Sequence, residues 1–120
     1  AEKAKLYPPL VNIYASTKNC TKRIKYAGMI GSNEKNAAIA SCIASQASSC
    51  GNTKVLRSFG YCLALDYAEK SGGKVSSAQT SAWKKSLPTS QELFFDGFEV
   101  GQSVPVPCWN GEKTKVRVQN

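Results

Sequence analysis

Residues 54–67 read KVLRSFGYCLALDY, and the period assigned to this stretch decides the fold. Val55, Arg57 and Phe59 alternate with Leu56 and Ser58, so 54–59 is expected to be a strand. Gly60 then breaks the run. Residues 61–67 alternate again, with Tyr61, Leu63, Leu65 and Tyr67 on one side and Cys62, Ala64 and Asp66 on the other, which predicts a second strand. The same reading applies upstream. Residues 10–15 place Val11, Ile13 and Ala15 on one face, and 23–30 place Ile24, Tyr26 and Ile30 together.

Helices are expected at 34–48 and 77–87. The first has Ser32 as its N-cap and Glu34 in its first turn, where a carboxylate suits the helix dipole. Its stripe is Ile39, Cys42, Ile43 and Ala47. The second is capped by Ser76 or Ser77, stopped by Pro88, and expected to bury Ala78, Ala82, Trp83 and Leu87. Strand, strand, helix thus occurs twice, and a shift of 44 residues lays Val11 on Val55, Gly28 on Gly72 and Ser32 on Ser76, as an internal duplication would. After Pro88, short β segments at 93–95, 98–100, 104–106 and 114–118 alternate with Gly and Pro turns. The fold class that follows is α+β: a small, disulfide-stapled ββα–ββα sandwich with a mostly antiparallel sheet and two helices, plus a C-terminal β extension. The 120 residues are expected to form one domain, with 10–87 as the core and 88–120 as the extension.

An alanine-rich middle (Ala37, Ala38, Ala40, Ala44, Ala47) makes a thin core, which five cysteines can reinforce. Their spacing contains no CxxC pair and the chain has no histidine, so neither a metal site nor a cofactor is expected. Of the two-bridge arrangements open to five cysteines, the expectation is Cys42–Cys50 and Cys62–Cys108. Cys20 is then left as an exposed free thiol among Lys18, Lys22 and Arg23, available for a disulfide-linked homodimer. Structural disulfides place the protein in the periplasm or outside the cell. The chain starts at Ala1 without a charged segment followed by an apolar run, so a signal segment is expected to lie outside this sequence. No stretch approaches the ~20 apolar residues of a membrane span.

Between Ile30 and Leu87 come an alanine-rich helix ending in cysteine (NAAIASC, 36–42), Cys50 before an apolar segment (KVLRSF, 54–59), and Cys62 followed by Leu63, Ala64 and Leu65. Gly72-Gly73 and another alanine-containing helix come after. This stretch, Ile30 to Leu87, resembles a family of small exported bacterial domains of unknown function. The resemblance covers about half of the chain and implies export, a small α+β fold held by disulfides, and no particular reaction. Some small periplasmic proteins of this kind are immunity proteins that block antibacterial effectors, which suggests a protein-binding role by analogy.

Catalytic patterns are missing from the sequence. Without histidine there is no Ser-His or Cys-His pair, and no Gly-rich phosphate loop occurs, so an enzyme is not expected. Asp66 and Glu69 read as a solvated strand end. Net charge is +8, unevenly spread: residues 1–87 hold thirteen Lys and Arg against four acids, and 88–112 hold Glu92, Asp96, Glu99 and Glu112 with no base. The acidic segment also carries Phe94, Phe95, Phe98 and Trp109. Phe94 and Phe98 are expected to complete the core. Phe95, Trp109, Glu92, Asp96 and Glu99 are expected to contact another protein, such as a secreted toxin, as aromatic anchors with a charged rim. The alternative is a basic body that binds an anionic envelope component, a glycan or lipid head group. Arginine is scarce beside lysine, so nucleic acid is not an expected partner.

Overall fold

The computed structural model describes residues 20–109 and 112–119. Their elements are α1 (Cys20–Ile30), α2 (Ser32–Ala47), α3 (Lys54–Lys70), α4 (Ser77–Lys84), α5 (Ser90–Asp96), β1 (Ser103–Pro105) and β2 (Lys113–Lys115). The described residues are therefore mostly helical with one two-stranded sheet, which overturns the antiparallel α+β sandwich and its strand–strand–helix repeat. The expected strand at 10–15 lies outside the described residues.

The error is centred on α3, where two strands were expected and a single helix runs through both. Thr53 caps it, its hydroxyl accepting the Leu56 N–H at 3.1 Å. Val55, Phe59, Cys62 and Leu63 share one side of this helix, and Ala64, Leu65 and Ala68 extend the buried surface around it. Helices α2, α4 and α5 and strand β2 all pack on α3. A helix covered on several sides keeps no polar stripe through its middle, so its 3.6-residue period is hidden and a chance alternation stands out. Gly60 is no breaker. A Cβ there would lie 2.8 Å from the Ala47 Cβ and 3.2 Å from its Cα, so α2 and α3 meet almost backbone to backbone. The hydroxyls of Ser58 and Ser71, both buried, are satisfied by the carbonyls of Val55 and Ala68.

Residues 23–30, also expected as a strand, belong to α1. A single residue, Gly31, joins α1 to α2, and it rather than Ser32 occupies the N-cap position of α2. Cys20 and Cys42 each stand eleven residues from Gly31. In a helical hairpin, positions equidistant from the turn face each other. Cys20 and Cys42 accordingly form a disulfide with Cα atoms 5.6 Å apart. A second disulfide, Cys50–Cys108, ties the α2–α3 loop to the turn after β1, with Cα atoms 5.9 Å apart. Both expected pairings are thus corrected. Cys62 is the free thiol, wholly buried in the helix core, and Cys20 is committed within the chain rather than available to a second copy.

Among the described residues, most of the large buried side chains fall into two clusters. One gathers Ile43 of α2, Leu63 and Leu65 of α3, Trp83 of α4, and then Leu87 and Val106. In α4, capped by Ser76, only Trp83 is buried, while the expected Ala78 and Ala82 face solvent. The other cluster joins Val55 and Phe59 to Leu93, Val104 and Val116, with Phe98 set edge-on to Phe59 at 5.1 Å. Strands β1 and β2 pair antiparallel, Val104 opposite Thr114, so that Val104 faces inward between exposed Ser103 and Pro105. The segment beyond Pro88 therefore completes the core of α3. Asp66 and Glu69, one helical turn apart on α3, fasten it further: both accept the Arg117 guanidinium, and Asp66 also accepts the Thr114 hydroxyl at 2.6 Å.

Candidate interaction surface

Helix α5 is short, but its ends are well defined. Thr89 accepts the Glu92 N–H at 3.2 Å while the Glu92 carboxylate accepts the Thr89 N–H at 3.0 Å, a reciprocal capping box. Gly97 closes the helix at φ +82, where glycine escapes the Cβ penalty. Glu92 also pairs with Lys54 at 3.0 Å, binding α5 to the first turn of α3. The Thr89 N–H and then Lys54 hold the Glu92 carboxyl below the usual carboxylate range.

Within this frame Leu93 is the buried residue of the helix. Successive helical positions rotate by about 100°, so the two residues after Leu93 turn away from the core. Phe94 and Phe95 are each 80% exposed, their rings 6.3 Å apart and steeply inclined. Asp96 and Glu99 are exposed alongside in sequence, and no basic residue lies between Pro88 and Glu112. Two large aromatic rings held in water on a capped helix need an explanation beyond folding, since core formation gains nothing from them.

The remaining expected contact residues are placed differently. Phe95, Asp96 and Glu99 are at the surface as expected, but Glu92 is occupied by its cap and by Lys54. Trp109 is not an outward anchor. It packs against the cluster of Ile43, Trp83 and Val106, its backbone N–H donating to Val106 O and its carbonyl accepting the Glu112 N–H. Phe98 completes the core; Phe94, expected there too, does not. The signal that identifies Phe94 is the Thr89-x-x-Glu92 pattern, which starts a helix and so fixes which residues follow Leu93 outward.

Burial pushes the Cys62 thiol up to about 11, so it is protonated at neutral pH and a poor nucleophile. Among the described residues, no three His, Cys, Asp or Glu side chains cluster to hold a metal ion, and no helix is long and apolar enough to cross a membrane. No protein-family model, curated protein or solved structure matches this chain.

Proposed function

We propose that this chain is an exported protein-binding module, most concretely an immunity or inhibitor protein that occludes an antibacterial effector. The observation that carries the reading is the exposed Phe94–Phe95 pair on a helix made rigid by its capping box and by the Lys54–Glu92 pair. Exposed aromatics on a preorganised element lose little entropy on docking, and such residues recur as binding hot spots. Export is supported by the two disulfides, which persist in oxidising compartments.

The test is capture from the envelope and secreted fractions of the source organism, followed by purification of the captured protein and titration against it. Phe94→Ala with Phe95→Ala is expected to weaken that complex by about 30-fold or more, the equivalent of ~2 kcal/mol, with an unchanged circular dichroism spectrum. The complex is also expected to survive 0.5 M salt. Undiminished affinity of the double variant, or binding that collapses with salt as a polyanion contact does, contradicts the reading.

A further inference from the structure

Two depressions adjoin at Arg117, on a face built from α3, α4 and the β1–β2 hairpin. One, of about 460 Å³, is lined by Asp66, Ser103, Lys113, Thr114, Lys115 and Arg117. The other, of about 360 Å³, is largely apolar, with Leu65, Leu87, Val100, Val116 and Val118 beside Lys84. A smaller hollow holding Leu65, Lys84 and Arg117 bridges them. The result is a groove that is cationic at one end and aliphatic at the other.

Its charge is not cancelled internally. Arg117 is engaged by both Asp66 and Glu69, so its single charge offsets one of these two carboxylates; the three lysines of the groove outweigh the other. Among the described residues, Lys84, Lys113 and Lys115 stand in no ion pair. Lys113 and Lys115 lie two apart on β2 and so point to the same, exposed face, with Ser103 directly opposite Lys115. Two ammonium groups and a hydroxyl at one end match an oxyanion. The aliphatic end, with Val100 58% exposed, matches a hydrocarbon chain.

We propose that this groove binds an amphiphilic anion: a phosphate monoester head group between Lys113, Lys115 and Ser103, and an alkyl or acyl chain along Leu65, Val100 and Val118. The site shares no residue with the Phe94–Phe95 surface, so either assignment stands or falls alone. The head group could belong to a membrane lipid or to a free amphiphile, and the experiment separates the two.

Octyl phosphate, inorganic phosphate and octyl glucoside, each below its micellar concentration, are titrated into the oxidised protein at low salt by calorimetry. Each buried methylene multiplies affinity about fourfold, so octyl phosphate, with roughly three to four methylenes buried in this open groove, is expected to bind one per chain, ~100-fold more tightly than inorganic phosphate. Octyl glucoside, which lacks the charge, is expected not to bind measurably. Lys113→Glu with Lys115→Glu is expected to weaken octyl phosphate binding at least tenfold. Val100→Asp is expected to weaken octyl phosphate and leave inorganic phosphate unchanged. Co-sedimentation with phosphatidic acid vesicles, but not with phosphatidylcholine vesicles, assigns the head group to a membrane lipid; monomer binding without co-sedimentation assigns it to a free amphiphile. Absence of saturable octyl phosphate binding, equal affinity for inorganic phosphate, or indifference to the lysine reversal overturns the proposal.

Discussion

Phe59→Ala is expected to lower the stability of the oxidised protein by about 4 kcal/mol. Phe59 is 1% exposed and shares a core cluster with Leu93 of α5, Val104 of β1 and Val116 just beyond β2. Its removal leaves a cavity that the α2–α3 contact cannot collapse to fill, because Gly60 and Ala47 already meet at backbone distance. It also removes the edge-to-face contact with Phe98, worth about 1 kcal/mol beyond the buried area. Urea unfolding followed by tryptophan fluorescence measures the loss. Phe94→Ala in the same assay is expected to stay within about 0.5 kcal/mol, since an exposed ring contributes little to folding. A Phe59→Ala loss under 1 kcal/mol would remove Phe59 from the centre of this core. The two variants together separate the residue that builds the seat of α5 from the residue that α5 displays.

The other large effect concerns the Cys50–Cys108 bridge. It joins residues 58 apart in sequence, and in the chain-entropy view a loop of that length stabilises the fold by about 4 kcal/mol. The shorter Cys20–Cys42 link, 22 residues apart, contributes about 3 kcal/mol by the same reasoning. Cys108 also sits at φ +69, a left-handed conformation that costs a non-glycine residue about 1 kcal/mol. Cutting the bridge lets that residue relax and frees the turn that follows β1. Cys50→Ala with Cys108→Ala is therefore expected to lower the melting temperature by on the order of 15 °C, read by differential scanning calorimetry. A shift under about 3 °C would mean that the hairpin is held by Val104, Val116 and the Arg117 network alone.

What the sequence disclosed depended on how each segment meets its neighbours. Helix α2 was legible because Ile43 and Ala47 form a one-sided stripe and Glu34 marks its start, and α4 was legible from its Ser76 cap. The exposed β1 and β2 residues alternate with Val104, Thr114 and Val116, so the expected segments at 104–106 and 114–118 overlap the hairpin, whereas 98–100, also expected as β, forms no strand. Helix α3 was not, because burial on several sides removes the polar face that reveals a helical period. The β-forming aromatics Phe94 and Phe95 drew α5 toward a strand, although the Thr89–Glu92 box was there to contradict them. The cysteine pairing failed for the same reason as the fold. A strand at 23–30 leaves Cys20 and Cys42 with no helical turn between them to be equidistant from, and the alternation expected at 61–67 gives no sign that Cys62 faces the interior.

The helical hairpin and its covalent fastening are tested most directly by peptide mapping of the native protein without reduction, after alkylation. The expected result is two linked pairs, Cys20 with Cys42 and Cys50 with Cys108, and a single thiol at Cys62 that takes up reagent only once the chain is unfolded. A Cys42–Cys50 link, or Cys62 found in any disulfide, would contradict the architecture described above.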